Sequence, residues 1–279
     1  MVMVEMPSVH LRGHLGSLGR SIIQRLLRDS VNIIVQEEHY SSLNQFFSTE
    51  LEFSKSQILS SHSHPIAPGH RVLLLGFENY KSSADDLDVG IGVDGAEVIL
   101  VTPSINHIEI DSSEIDGHFI IHDLIPSDSI PPWNNQYLDE MIDSLIGGSD
   151  YKNTGHVGWW VAELDVADAI SRLMLSKHPS PKEVNFAGRR SWKLGQVFDE
   201  LQMLYKRTIA GQSGDFTTEH LTSPSTPHIE LVPVEQSMQS KRPNLESLHE
   251  SLVLADGDGW RSMTPIRTAL MHFLIGKMN

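Results

Sequence analysis

Short runs of mostly apolar residues, separated by amphipathic stretches, constrain the fold of this chain more than any other feature. The runs lack the strict alternation of apolar and polar residues that marks a strand buried on one face. Strands of near-continuous apolar character are instead typical of a parallel sheet covered on both faces. Their alternation with helical stretches predicts an α/β fold, a Rossmann-like doubly wound parallel sheet. The runs are VHLR from Val9, VNIIVQ from Val31, RVLLLG from Arg71 and EVILVT from Glu97.

Further elements are predicted around this sheet. Residues 210–228, rich in Ser, Thr, Gly and Pro, predict a surface loop. We expect residues 1–123 to form a dinucleotide-binding part, and residues 124–279 a smaller mixed α/β region of substrate-binding type, interleaved with the first in the fold. Strands are predicted at Phe119–His122 and Val184–Ala187, and helices at Leu18–Arg28, Tyr137–Ile146, Val166–Ser176 (with Asp165 as N-cap) and Leu194–Arg207.

Composition excludes several classes of protein. The chain of 279 residues has no cysteine, which rules out disulfides, thiolate metal ligands and cysteine nucleophiles and agrees with a cytoplasmic location. Its 36 acidic and 21 basic residues give a charge of −15, and this acidic field argues against general nucleic-acid binding. No apolar run reaches about 18 residues, and the N-terminus carries no basic segment. We therefore expect neither membrane association nor a signal peptide.

The sharpest local motif is a glycine triplet that follows the first strand and opens the first helix. Glycine lets the backbone turn tightly and approach a pyrophosphate, whose charge is favoured at a helix N-terminus. An acid after the second strand accepts the ribose hydroxyls in such sites, and Glu37 and Glu38 stand 24 and 25 residues after Gly13. This order predicts a dinucleotide site, with glycines kept only for packing as the alternative. The motif is Gly13-His14-Leu15-Gly16-Ser17-Leu18-Gly19.

The acid also bears on the choice of cofactor. A carboxylate at the end of the second strand repels a 2′-phosphate, and no arginine stands beside Glu37 and Glu38. The sequence therefore favours NAD over NADP.

The motif resembles the TGxxGxxG opening of the extended short-chain dehydrogenase/reductase family, the nucleotide-sugar epimerases and dehydratases. Arg12 replaces the family's small lead-in residue. The resemblance implies NAD as cofactor, a nucleotide-linked sugar as ligand, and substrate phosphates near Arg189, Arg190 and Arg242. Later segments resemble the family in the same order: WVAELDVADAI from Trp160, EVNFAG from Glu183, the helix at 193–204, KRP from Lys241 and the stretch 260–270.

The chain departs from the family at its chemistry. The family uses a Tyr-x-x-x-Lys pair on one helix, where lysine lowers the pKa of the tyrosine and holds the ribose. None of the five tyrosines here has lysine four positions later, and only 14 residues, 105–118, stand where the family has a loop and a long helix. The resemblance therefore implies that the active-site helix is deleted, together with the catalytic pair and the dimer interface that this helix commonly builds.

Two more positions follow from the resemblance. Ser104 stands where the family carries its catalytic Ser or Thr, so a surviving enzyme would use Ser104 to polarise the substrate. His107 or His118 would then be its unorthodox proton donor. The segment RVLLLGFENY, residues 71–80, replaces the small residues that lie beside the cofactor in the family, which predicts that cofactor binding is weakened or lost.

Some groupings of polar residues give weaker signals. His62 and His64, with Glu50, Glu52 or Glu78, offer metal-type ligands without an identifiable third partner, and SSHSHP also fits a solvated turn. We expect no metal.

The sequence also offers residues for a hydrolytic triad and for a phosphate-binding cluster. The triad would combine Ser104 with a histidine and Asp116, but the sequence has no nucleophile-elbow motif around the serine. The Arg189-Arg190 pair and Arg242 suit phosphate oxygens, although a solvated surface would carry the same residues.

Two functions of different classes remain. The first is a non-catalytic NAD(P)- or nucleotide-sugar-binding protein, which senses its ligand or docks a partner. The second is a nucleotide-sugar epimerase, dehydratase or reductase with a non-standard proton donor. The missing helix favours the first, and the retained glycine turn keeps the second open.

Overall fold

The computed structural model describes residues 6–77, 89–104, 114–149, 151, 155–222 and 242–278. The strands are β1 (Ser8–Gly13), β2 (Asn32–Val35), β3 (Gln57–Ser60), β4 (Arg71–Leu75), β5 (Glu97–Pro103), β6 (Gly117–Ile121), β7 (Leu124–Ile125), β8 (Val157–Gly158), β9 (Val161–Ala162), β10 (Glu183–Phe186) and β11 (Trp192–Lys193).

Seven strands form a parallel sheet in the order β10-β6-β5-β4-β1-β2-β3. The chain runs outward from β1 to β3, returns to β4, and then builds the other half of the sheet. The strand order thus reverses between β1 and β4, as a doubly wound fold requires. Two small pairs, β7 with β9 and β8 with β11, lie outside this sheet.

Helices cover one face of the sheet and build a separate cluster. The described helices are α1 (Gly16–Leu26), α2 (Glu37–Phe46), α3 (Ser48–Phe53), α4 (Gln136–Gly147), α5 (Glu163–Leu175), α6 (Leu194–Ser213), α7 (Glu219–Thr222), α8 (Glu246–Asp256) and α9 (Ile266–Met278). α1 packs on α5, which packs on α8. A second cluster joins α4, α6 and α9.

The apolar strands are buried on both faces, as their sequence predicts. Val9 and Leu11 of β1 join Ile22 and Ile23 of α1 in the main core. On the opposite face, a smaller core contains Val72, Leu74 and Leu100 together with side chains from the connecting segments. None of the described helices is long and apolar enough to cross a membrane.

Two local predictions are wrong. Helix α5 begins at Glu163 with Ala162 as N-cap, and Asp165 lies inside its first turn. The Asp165 carboxylate instead accepts hydrogen bonds from Ser262 Oγ at 3.0 Å and from the Thr264 backbone N at 3.1 Å. These donors come from a segment about 100 residues later, which a local capping pattern cannot foresee.

The predicted loop at 210–228 is the second error. Helix α6 continues to Ser213 and α7 follows at Glu219–Thr222. The remainder of that stretch, residues 223–228, lies outside the described residues.

Polar side chains are buried in the centre of β1. Because strand side chains alternate, His10 and Arg12 face away from α1, and both are fully buried. Arg12 Nη2 lies 3.0 Å from His10 Nδ1, Arg12 Nη1 donates to the Ile34 carbonyl at 3.3 Å, and His10 Nε2 lies 2.9 Å from His70 Nδ1. Burial first, then the charge of Arg12 and the neighbouring His70 and His64, lower the pKa of His10 to about 3.

This burial makes stability depend on pH. A histidine with a lowered native pKa takes up a proton more readily in the unfolded chain, so stability is lost as pH falls below about 6.5. From pH 7 to pH 5, we expect His10 to reduce the free energy of unfolding by about 2 kcal/mol. Urea unfolding at both pH values should show this loss in the wild type and in an exposed control, His272→Gln, and a smaller loss in His10→Gln. Equal losses in all three proteins would contradict the assignment.

Candidate functional site

The glycine turn lies at the carboxyl edge of the sheet, between β1 and β4. Gly13 ends β1 with φ +87° and Gly16 opens α1 with φ +49°, a backbone region that glycine enters without steric cost. The His14 backbone N donates to the Leu75 carbonyl at 2.8 Å and so ties the turn to β4. Open α/β sheets bind ligands at this point, where the strand order reverses.

The seven predicted turn residues divide into two groups. Gly13 and Gly16 are half-buried and His14 is exposed at the carboxyl edge between β1 and β4, a region that we call the crevice. The side chains of Leu15 and Leu18 are instead buried in the core. Gly19 packs on Leu15, because a Cβ there would lie 2.7 Å from Leu15 Cβ. Ser17 is also buried, and its hydroxyl donates to Glu163.

The two acids predicted to bind the ribose make their contacts away from the glycine turn. Glu37 begins α2, and its carboxylate accepts a hydrogen bond from Ser60 Oγ. Glu38 is exposed and lies 3.5 Å from His39. The side chain that reaches the turn is Gln36, whose Oε1 accepts from the Gly13 backbone N at 3.0 Å. Sequence reasoning missed Gln36, although its place as the polar residue closing the second strand was a usable signal.

A segment that follows β7 covers the crevice; we call residues 126–133 (PSDSIPPW) the strap. Its last residue, Trp133, is 1% exposed, and Trp133 Nε1 donates to the His14 carbonyl at 2.8 Å. A Cβ on Gly16 would lie 3.4 Å from Trp133 Cδ1, and a Cβ on Gly76 would lie 2.4 Å from Pro132 Cγ. Pro132 and Trp133 therefore lie between the ends of β1 and β4.

Phe77 closes the same crevice from the β4 side. It is buried, and a Cβ on Gly13 would lie 2.5 Å from its ring. Phe77 belongs to the segment 71–80, in which larger residues stand where the family that the sequence resembles has small ones.

Two carboxylates lie near the N-terminus of α1. Glu163 is 2% exposed and accepts hydrogen bonds from Ser17 Oγ, from Ser21 Oγ at 2.7 Å and from the Ser127 backbone N at 2.9 Å. In the strap, Asp128 Oδ2 accepts from Arg20 Nη2 at 2.7 Å. A carboxylate is favoured at the positive end of a helix, which is also the place for a phosphate.

These contacts decide how well a dinucleotide fits. The backbone of the turn and the start of α1 have the form that a pyrophosphate requires. The side chains above that backbone do not fit a dinucleotide, because Trp133, Pro132 and Phe77 fill the crevice. In this arrangement, the turn is covered by the chain's own residues.

The candidate catalytic residues are spread along the sheet. Ser104 follows β5 at the carboxyl edge, where its backbone N donates to the Ile121 carbonyl at 2.8 Å. His118 pairs in register with Leu100, four residues before Ser104, or about 13 Å along the strand. Asp116 Oδ2 accepts from the Val98 backbone N at 2.8 Å, at the opposite end of β5. His107 lies outside the described residues.

His118 has a partner of its own. Its Nε2 lies 2.8 Å from Thr102 Oγ1. Burial lowers the pKa of His118, and the nearby Glu183 carboxylate opposes this effect. The residues described between β5 and β6 include no helix, and Tyr137 and Tyr151 lie in the cluster of α4, α6 and α9.

The three predicted phosphate-binding arginines are exposed. The Arg190 guanidinium lies 4.6 Å from the Trp192 ring centroid, and that of Arg242 lies 5.7 Å from the Trp159 ring centroid. Arg189 and Arg190 line a small cavity of about 190 Å³. No group of three or more potential metal ligands occurs within the described ranges, and His62 and His64 lie in the turn that follows β3.

The packing at Gly13 can be tested against a matched glycine. Gly69 has φ +82° with open space around a Cβ, whereas a Cβ on Gly13 would also lie 2.6 Å from the Leu75 carbonyl oxygen. We expect Gly69→Ala to cost about 1 kcal/mol of stability from backbone strain, and Gly13→Ala about 2–5 kcal/mol, because overpacking adds to that strain. Urea unfolding measures both. Equal costs would contradict the described packing of Phe77 and β4 on Gly13.

Comparison with known proteins shows which solved structures share this fold. No protein-family model and no curated protein sequence matches the chain. Among solved structures, it is similar to dTDP-glucose 4,6-dehydratase from Bacillus anthracis in complex with NAD, with a TM-score of 0.51, 10% identity, and 98% of this chain and 96% of that chain covered.

A second similar structure is UDP-glucuronic acid 4-epimerase from Bacillus cereus, in complex with a UDP-linked fluorinated sugar acid and NAD. Its TM-score is 0.54 at 9% identity, with 96% of this chain and 98% of that chain covered. An enzyme from Bordetella bronchiseptica in complex with NAD has a TM-score of 0.50 at 10% identity, with 99% and 96% covered. Over nearly its whole length, the chain has the Rossmann-like α/β fold of these three solved structures, and none of its tyrosines is followed four positions later by lysine.

Proposed function

We propose that this chain is a nucleotide-binding protein, with NAD(H) as its ligand, that lacks tyrosine-lysine hydride-transfer chemistry. The observation that carries the proposal is the backbone of the turn. Gly13 and Gly16 adopt positive φ at the point where the strand order reverses, and α1 begins there. Two solved proteins of the same fold, the dehydratase and the epimerase, hold NAD.

The chemistry of the surrounding residues supports binding without standard catalysis. The sequence has no lysine one helical turn after any tyrosine. Tyr137 stacks on His156 with ring centroids 4.8 Å apart, and Tyr151 stacks on Phe198 at 5.0 Å, so both rings already have partners away from the glycine turn. At the end of β2, Gln36 rather than Glu37 or Glu38 contacts the turn.

The second ligand class in this proposal is a nucleotide-linked sugar. Arg189 and Arg190 follow Gly188 at the end of β10, on the same carboxyl edge as the turn. Guanidinium groups bind phosphate oxygens in a fork geometry, and Arg242 adds a third positive charge. In an otherwise acidic chain, these arginines are the groups expected to hold the sugar's diphosphate.

Calorimetric titration tests the first ligand. We expect the wild type to bind NAD(H) in the micromolar range and NADP(H) more weakly. Gly16→Val should weaken NAD(H) binding at least about tenfold, because a branched side chain would enter the space above the helix start. Gly69→Val, at another positive φ on the opposite edge of the sheet, should bind like the wild type. Binding that survives Gly16→Val would refute the assignment of the site.

A turnover assay separates the proposal from its enzymatic alternative. The proposed binding protein shows no cofactor-dependent turnover of nucleotide sugars, and Ser104→Ala leaves its affinity for NAD(H) unchanged. Turnover that falls in Ser104→Ala or His107→Ala would instead support an epimerase, dehydratase or reductase with an unorthodox proton donor.

A further inference from the structure

We infer that the strap is a built-in competitor of the nucleotide: at rest it closes the crevice over the glycine turn, and it swings away when a dinucleotide binds. This inference rests on the proposed function. It concerns residues 126–133, which lie more than 100 residues after the turn in the sequence.

The apolar end of the strap takes the place that a dinucleotide needs. In glycine-rich turns of this kind, the second glycine lets the backbone approach the pyrophosphate closely. Here that glycine is Gly16, and the Trp133 indole lies at van der Waals distance from the position of its missing Cβ. Pro132 lies still closer to the corresponding position of Gly76, the residue that follows β4. A ligand in the crevice would have to displace both side chains of the strap, and the Phe77 ring on the β4 side would have to turn aside with them.

The polar part of the strap takes the place of the anion. Asp128 Oδ2 accepts from Arg20 of α1, and its Oδ1 lies 4.0 Å from the Cβ position of Gly16. Within the described part of the chain, Asp128 Oδ1 is buried without a hydrogen-bond partner. A carboxylate therefore lies where α1 would attract a phosphate, and like charge would oppose a dinucleotide until the strap moves.

The two ends of the strap are joined at its base. Asn135 Nδ2 donates to the Leu124 carbonyl at 3.0 Å, and this bond joins the two ends of the loop. Beyond this base, the strap is held by hydrogen bonds at Ser127, Asp128 and Trp133 and by the packing of Ser127 on Gly276 of α9, and opening breaks these contacts. Such a compact loop can open while the elements at its base stay in place.

A closed strap should lower the affinity of the protein for the nucleotide. If only a fraction of molecules is open, the apparent dissociation constant rises by the inverse of that fraction. A strap that is closed in about ten molecules of eleven weakens binding about tenfold.

Calorimetric titration with NADH tests this relation. Trp133→Ala removes the apolar end, and Asp128→Asn removes the charge at nearly constant volume. We expect each to lower the dissociation constant about tenfold relative to the wild type. The matched control is Asp168→Asn, because Asp168 pairs with Arg25 of α1 at 3.6 Å, in the turn at the other end of that helix. This control should bind like the wild type.

Each outcome has a distinct meaning. Equal, measurable affinities in the wild type, Trp133→Ala and Asp128→Asn would overturn the strap inference and leave the proposed function intact. Absence of NADH binding in all folded variants would overturn both. If Trp133→Ala fails to fold, Asp128→Asn decides, since it retains the indole and its packing.

A direct reporter of strap position provides a second readout. Because the chain has no cysteine, Ile130→Cys places one thiol on the exposed part of the strap, where an environment-sensitive dye can be attached. We expect NADH to change the dye signal with the half-saturation measured by calorimetry. A dye on Ile146→Cys, an exposed position in α4, should not respond. An unchanged Ile130→Cys signal at saturating NADH would overturn the inference.

Discussion

The buried carboxylate of Glu163 holds together the parts of the structure on which the candidate site depends. Its two oxygens accept hydrogen bonds from two serines of α1 and from the backbone of the strap, and its residue begins α5. A buried carboxylate is costly unless donors surround it, so these hydrogen bonds favour the arrangement of the two helices and the closed strap. They account for the position of α1 against α5 and for that of the strap at rest over the crevice.

The sequence predicted the parts of the fold that local patterns encode. Apolar runs specify buried parallel strands, and the glycine triplet specifies the turn between β1 and α1, because positive φ at Gly13 and Gly16 is a local requirement. The covering of that turn was not predictable in the same way. Trp133, Pro132 and Asp128 lie more than 100 residues after the turn, and their local sequence pattern does not indicate that they contact its glycines.

The same limit explains the error at Asp165. As a local pattern, an acid before an apolar helical stretch predicts an N-cap. In the structure, its hydrogen bonds go to Ser262 and Thr264 instead. The ribose acids are an intermediate case. They follow the second strand, as the sequence pattern requires. In the structure, however, Gln36 contacts Gly13 and Glu37 contacts Ser60, and these partners are set by tertiary contacts that the local pattern does not encode.

The hydrogen bond between Trp133 and His14 spans 119 residues, and that between Ser17 and Glu163 spans 146. During synthesis the ribosome releases the glycine turn before it releases either partner, so neither contact can form until residues 133 and 163 have emerged. The covering of the turn can therefore form only after β1, α1 and β4 have left the ribosome.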